Sequence, residues 1–212
     1  MEVAMMRKRK SALPWARATA VAILALAVTV ACGRRVRRID PETTTDLSGY
    51  WNDTDSRLVA NEMIPDVLNG PWIRRHMQES DGAEPVVIVG IVRNRSTEHI
   101  PTGTFVRDLE RAFVNSGEVR VVANPLEREE LRQERVEQQD WASAETRKKL
   151  REETGADYML QGAIDAIIDK EGGREVKFYQ VDLFLTDIQS NERVWIGQKK
   201  IKKEISRRSL GL

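Results

Sequence analysis

The chain predicts an α/β fold, a two-layer mixed sheet with helices packed on it and a C-terminal antiparallel meander. Three observations predict it. Val86-Val-Ile-Val-Gly-Ile-Val92 is an unbroken apolar run of strand length, the pattern of a strand buried on both faces. A helix from about Thr104 and a second short strand at 119–123 follow it, and strand, helix, strand in that order makes a right-handed crossover on one sheet. Three strand signals then come in a row, at 158–169, 176–188 and 192–201, joined by the turns Lys170-Glu-Gly-Gly-Arg174 and Gln189-Ser-Asn191.

Residues 1–31 read as a targeting segment outside that fold. Arg7, Lys8, Arg9, Lys10 and Arg17 precede the uncharged stretch 18–31, which leads into Cys32-Gly33. A basic start, an apolar middle and small residues before a cut site make a bacterial secretory signal. The apolar stretch is shorter than the roughly 20 residues that a membrane span needs. Cys32 is the only cysteine, so it has no disulfide partner within the chain and cannot join a multi-cysteine metal site there. Val28-Thr29-Val30-Ala31-Cys32 resembles a lipobox, at which lipoproteins are acylated on cysteine and cut just before it, with Thr29 where leucine is usual. Gly33 resembles the neutral residue of lipoproteins sent on to the outer membrane. Two or three acyl chains at about 0.8 kcal/mol per buried methylene anchor a protein stably. Cys32 is therefore the expected lipid-attachment site, and the periplasmic face of the outer membrane the expected location.

Cleavage before Cys32 leaves 29 Lys+Arg against 32 Asp+Glu, a net charge near −3 with no global basic field for nucleic acid. The remaining 181 residues suit one hydrophobic core. Expected boundaries are a signal at 1–31, an anchor and short tether at 32–45, and a single periplasmic domain at 46–212. Arg34, Arg35, Arg37 and Arg38 in the tether either sit against anionic headgroups, at about 1 kcal/mol each, or form a solvated linker.

The domain opens with Asp46-Leu-Ser-Gly-Tyr-Trp-Asn-Asp-Thr-Asp-Ser56. Asp53, Thr54 and Asp55 are N-cap residue types ahead of the apolar positions Leu58, Val59, Met63, Val67 and Leu68. Asn69-Gly70-Pro71 stops that helix. The acidic residues do not follow the D-x-[DN]-x-[DN]-G spacing that would surround calcium with oxygens, so capping is the better reading. Tyr50, Trp51 and Trp72 are expected to form a small packed cluster. In the helix after the first strand, Phe105, Val106, Leu109 and Phe113 share a face, and Ser116-Gly117 ends it. Pro125 opens a charged helix in which Leu126, Leu131 and Val136 lie five apart, which gives no apolar stripe and predicts a solvated outer piece. Ser143 can cap a further helix through Leu150, ended by Thr154-Gly155. Along the second meander strand Tyr179, Val181, Leu183 and Leu185 alternate with Gln180, Asp182, Phe184 and Thr186, which predicts one covered face. Gly162, inside the strand before it, marks a close-packing point or a bulge. Lys199-Lys-Ile-Lys-Lys203 is a positive stretch of the kind that keeps an edge strand from pairing.

No catalytic machinery emerges. His76 and His99 form no metal motif, no glycine-rich phosphate loop follows the first strand, and Ser96 beside His99 lacks a nucleophile elbow. No metal or cofactor is implied. Loops at the C-terminal ends of buried strands often hold binding sites, which makes Arg93, Asn94, Arg95, Glu98 and His99 the partner-binding candidates. Arg93 and Arg95 are suited to carboxylates on a partner protein or on cell-wall peptides, and are equally readable as solvated turn residues.

Five stretches together resemble the penicillin-binding protein activator LpoB family: Arg38-Ile-Asp-Pro41, the 46–56 segment, Val86 through Arg95, Gly155-Ala-Asp-Tyr-Met-Leu-Gln-Gly162 and Val194-Trp-Ile-Gly-Gln-Lys199. Curli-secretion lipoproteins and TolB N-terminal domains have pieces similar to the fourth. The resemblance implies a TolB N-terminal-like fold and a non-enzymatic outer-membrane lipoprotein. Its partner would be a class A penicillin-binding protein, the synthase that polymerises and crosslinks peptidoglycan. Binding a noncatalytic domain of that synthase would shift it toward an active conformation. The resemblance departs in one respect: the family's well-known activator has a long linker, whereas here the stretch from Cys32 to Trp51 spans at most about 60–70 Å fully extended. A monomer is expected. The alternative is an envelope assembly or secretion lipoprotein of curli or appendage type, acting by oligomerisation.

Overall fold

Strand β1 (Val86–Asn94) lies inside a five-stranded sheet of order β2-β1-β3-β4-β5, with β2 at Arg120–Val122, β3 at Tyr158–Glu171, β4 at Arg174–Asp187 and β5 at Arg193–Ser206. The computed structural model describes residues 36–206. By its internal contacts the chain divides at Thr43/Thr44, and the fold described below is that of the unit that begins at Thr44. Cys32 and the targeting segment lie outside the described residues. No described helix is long and apolar enough to cross a membrane.

β1 is parallel to both neighbours, with Val86 opposite Arg120 and Val87 opposite Tyr158, while β3, β4 and β5 run antiparallel. This is the expected mixed sheet with a terminal meander. Between Val89 and Val92 the register against β3 slips, Val89 facing Leu160 and Val92 facing Gly162. One extra residue on β1 makes this a bulge.

Helix α1 (Asp53–Leu68) begins one residue earlier than the sequence suggested. The N-cap is Asn52, whose side chain accepts from the Asp55 amide, while the Asp55 carboxylate accepts from the Asn52 amide, so the acidic residue closes the box. Asn69-Gly70-Pro71 ends α1 and at once starts an unforeseen second helix, α2 (Pro71–Glu79), because proline suits a first helical position. Trp72 reaches back to donate to the Val67 carbonyl at 2.7 Å. The expected aromatic cluster is split. Trp72 packs edge-on against Tyr158 and Trp51 against Tyr179, and Tyr158 starts β3 whereas Tyr179 pairs with Ala166 eight residues along it.

Helix α3 (Gly103–Ser116) buries Phe105, Leu109 and Phe113, and Gly117 ends it with φ 69°, the left-handed conformation glycine adopts without strain. Helix α4 (Pro125–Trp141), capped by Asn124 and Glu127, buries no residue, as its apolar spacing predicted. The further helix expected from Ser143 is absent. Ser143 makes a single turn, accepting from the Thr146 and Arg147 amides. The chain beyond it does not continue as a helix: Gln138 and Gln139 of α4 take the backbone N–H and carbonyl of Lys148, and Arg151 sits in the left-handed region at φ 63°. No apolar stripe there rewards a helix.

The core lies on one face of the sheet. Val87, Val89, Leu160, Ile164, Val181, Leu183 and Leu185 meet Val59, Met63, Val67, Phe105, Leu109 and Phe113 from the helices. The alternation along β4 falls as expected, with Tyr179, Val181, Leu183 and Leu185 fully buried. Gly162 is the close-packing point, since a Cβ there would collide with the Asp182 carbonyl and the Leu183 side chain.

Candidate functional site

The loop that leaves β1 is built from its own side chains. Ser96 donates to Asn94 Oδ1 at 2.7 Å, Asn94 Nδ2 donates to the Glu98 carbonyl at 2.6 Å, and Thr102 Oγ1 donates to the Val92 carbonyl at 3.1 Å. Asn94 and Ser96 are thus spent in holding the loop's shape. Ser96 is a loop fastener here, its hydroxyl bonded to Asn94 and Glu98.

Beneath the loop lies a buried ionic knot. Glu98, its side chain 6% exposed, accepts from Lys177 at 2.8 Å, from the Tyr179 hydroxyl at 2.7 Å and from the Trp51 amide at 3.2 Å. Lys177 is 1% exposed and is covered by the Tyr50 ring, whose centroid stands 3.3 Å from Nζ. Burial raises the Glu98 carboxyl, but the hydrogen bonds from Lys177, Tyr179 and Trp51 outweigh it and hold the pKa below the ordinary 4.5. Burial and then the Glu98 hydrogen bond push the Tyr179 phenol far up, so it is a permanent donor. Glu175 adds a second carboxylate 3.7 Å from Lys177 Nζ, so the buried lysine lies between two acids, of which Glu98 is the nearer.

A second knot fixes the segment 44–52 as a strap along the same end of the sheet. Lys203 donates to Asp55 at 2.6 Å, to Asp46 at 2.9 Å and to the Tyr50 carbonyl at 3.1 Å. Burial presses its ammonium down, but the two carboxylates outweigh burial and leave its pKa above the ordinary 10.5. Asn52 Nδ2 adds a bond to Asp46 at 2.7 Å, and Trp51 Nε1 donates to Ser56 Oγ at 2.9 Å. Gly49, at φ 70°, lets the strap turn against Ile205, where a Cβ would collide. The unusual 46–56 sequence is therefore a set of fasteners. Val194 to Lys199 has a similar use on β5: Trp195 Nε1 donates to Asp66 at 3.0 Å and Lys199 pairs with Glu62, both on α1. The lysine stretch is in part an inner clamp, with only Lys200 and Lys202 fully exposed.

These constraints divide the candidates. Arg93 pairs in register with Ala163, on the face opposite Val92 and the helix layer, and is exposed there. Arg95 is exposed too, with a loose ion pair to Asp165 at 3.9 Å. That face also carries the exposed Ile167 and Ile196 and the half-buried Phe178 and Phe184. Glu98 points the other way, into the knot. His99 is exposed and lines, with Tyr50, Trp51, Thr97, Ile168 and Lys170, a cavity of about 470 Å³ between loop and strap.

Lys177 was not singled out in the sequence and Lys203 was read there only as part of a positive edge, although a signal for their burial was present. Each continues an inward-facing alternation, Lys177 before Tyr179, Val181 and Leu183, and Lys203 after Trp195, Gly197 and Ile201. A lysine at an inward position demands a buried carboxylate. Among the described residues no group of three or more His, Cys, Asp or Glu could hold a metal ion.

Comparison with known proteins gives a family. The LpoB C-terminal domain of Escherichia coli is 20% identical, with 62% of this chain and 93% of that one covered and a TM-score of 0.33. That of Salmonella enterica is 19% identical over the same shares at 0.32. Lipoprotein GNA1162 of Neisseria meningitidis is 15% identical, over 59% of this chain and 88% of its own, at 0.34. No curated protein sequence matches. A family model described as peptidoglycan-synthase activator LpoB matches residues 55–201, from the capping box of α1 to the middle of β5. The chain belongs to the peptidoglycan-synthase activator LpoB family.

Proposed function

We propose that this protein is a non-enzymatic lipoprotein, anchored through Cys32 at the periplasmic face of the outer membrane, that binds and stimulates a class A penicillin-binding protein. The family match supports the general role. The observation that carries the surface is the open sheet face at the end of β1. Arg93 and Arg95 stand there at the β1 border beside Ala163 and Asp165, on the face that also carries Ile167, Phe178, Phe184 and Ile196, while the Glu98 knot ties the loop down from the other side. Arginines at the border of a face that also carries apolar side chains suit a partner surface with carboxylates beside an apolar patch. Activation then needs only differential affinity. An activator that binds the active synthase conformer tenfold better shifts the equilibrium by about 1.4 kcal/mol.

The test is a pull-down from membranes with the full chain, followed by a glycan-polymerisation assay on any class A synthase recovered. Saturable binding with faster polymerisation is the expected result, and Arg93→Glu with Arg95→Glu should weaken binding about tenfold or more while leaving the thermal midpoint in place. Recovery of no synthase, or binding without a change in rate, overturns the reading.

A further inference from the structure

Beyond Val122 the rim of the sheet is walled. β2 pairs only with residues 86–88 of β1. Past that point the Val89–Val92 bulge breaks the register, Thr102 takes the Val92 carbonyl, and α4 sets out from its cap at Asn124. The rim therefore lacks the run of free backbone groups that another strand needs. What these features enclose is a cavity of about 670 Å³, lined on its apolar side by Ile88, Gly90 and Met159 of the sheet, Val106 of α3 and Leu126 of α4. A cavity of this size, mainly apolar with a few polar groups converging on it, has the form of a small-ligand site.

The charged groups of the lining are two arginines and two glutamates, and they stand at opposite ends. β1 and β2 are parallel, so α3 between them runs back along the cavity from the Arg93 end, where Thr102 is tied to Val92, toward the end of β2. Arg93 and Arg107 hold the first end. The Arg107 side chain folds back over the start of α3, so that a Cβ placed on Gly103 would lie 3.6 Å from its guanidinium. Among the described residues neither arginine makes an ion pair. Glu110 and Glu127 hold the second end, beside Asn124. Burial, and then the Glu127 carboxylate, raise the Glu110 carboxyl above its ordinary value, and the opposing pull of Arg107 does not outweigh them. From Gly103, where the guanidinium lies, to Glu110 is about 10 Å along a helix that rises roughly 1.5 Å per residue.

We infer that this cavity binds a short peptide with both ends free, its carboxylate at Arg93 and Arg107, its ammonium at Glu110 and Glu127, and its apolar side chains against Val106, Leu126 and Met159. An extended tripeptide spans about 10 Å, which matches the two charged ends. A segment inside a longer protein chain carries neither charge, whereas peptides trimmed from a cell wall carry both. The inference goes beyond the synthase reading and does not rest on it. Isothermal titration calorimetry of the full chain in detergent with the tripeptide Ala-Leu-Ala tests it. Saturable binding of one peptide per chain with a Kd of about 0.1 mM is expected, at roughly 0.3 kcal/mol per ligand atom. N-acetylation and C-amidation of the peptide should each weaken binding about tenfold. Arg107→Gln should weaken the free peptide about tenfold but the C-amidated peptide less than about twofold, and Glu110→Gln should discriminate in the same way between the free and the N-acetylated peptide. No saturable binding at millimolar peptide, or blocked peptides that bind the wild-type chain as well as the free one, overturns the inference. So does loss of synthase binding on Arg107→Gln in a chain that binds no tripeptide, because the cavity would then hold a partner segment.

Discussion

Glu98 shows how a residue in an exposed-looking loop can be internal. Its neighbours in sequence are polar, yet its carboxylate is paired with a lysine 79 positions away. Glu98→Gln should cost about 1–3 kcal/mol in urea unfolding, because it removes the nearer carboxylate from a buried lysine and leaves it Glu175 at 3.7 Å, and Glu98→Leu with Lys177→Met should recover most of that loss. The pH dependence follows from the sign. A carboxyl whose folded pKa lies below the ordinary 4.5 contributes stability that is fully present above about pH 5 and is lost as pH falls through the folded value. Denaturation midpoints measured from pH 7 down to 3 should fall steeply in the wild type and less steeply in Glu98→Gln. An equal slope would remove Glu98 from the acid transition. At Gly162, alanine should cost about 1–3 kcal/mol, since the colliding atoms include a backbone carbonyl of β4 that a rotamer change cannot move.

Among the elements, the strap and α4 are opposites. The strap has no regular secondary structure but is tied at Asp46, Tyr50, Trp51 and Asn52 to β5, β4, the β1 loop and α1. α4 is a regular helix of 17 residues that buries none of them. Hydrogen exchange should therefore be slower at the Trp51 amide, which donates to Glu98, than at amides in the middle of α4, and Lys203→Met should speed exchange across 46–55 while leaving α4 unchanged. The helix expected from Ser143 fails for the same reason that α4 stays outside. Neither segment has apolar residues at helical spacing, and packing contributes most of a helix's stability in a protein.

Over the whole molecule, the two faces of the sheet should respond differently to truncation. Phe113→Ala, beneath the helix layer, should cost about 3–5 kcal/mol of stability. Ile196→Ala, on the open face at 60% exposure, should cost less than about 1 kcal/mol while reducing synthase binding. If it leaves binding intact, the docking surface lies elsewhere. Added salt should weaken the arginine-dependent part of binding more than it weakens the fold, because exposed charges are screened and the Glu98–Lys177 pair is not.

The mixed sheet, its meander and the amphipathic α3 were legible because periodicities of two and 3.6 residues are local. So were the solvated character of α4 and the close approach at Gly162. What the chain order did not disclose were pairings across long separations: Glu98 with Lys177, Lys203 with Asp55 and Asp46, Trp195 with Asp66. Nor could it show that the β5 border of the sheet is clamped to α1. Alternation says which side of a strand a residue faces, whereas its partner is set by how strands order themselves and where loops return. That order arises only when apolar surfaces from distant segments are buried together, and the buried charges then have a single place in which to meet.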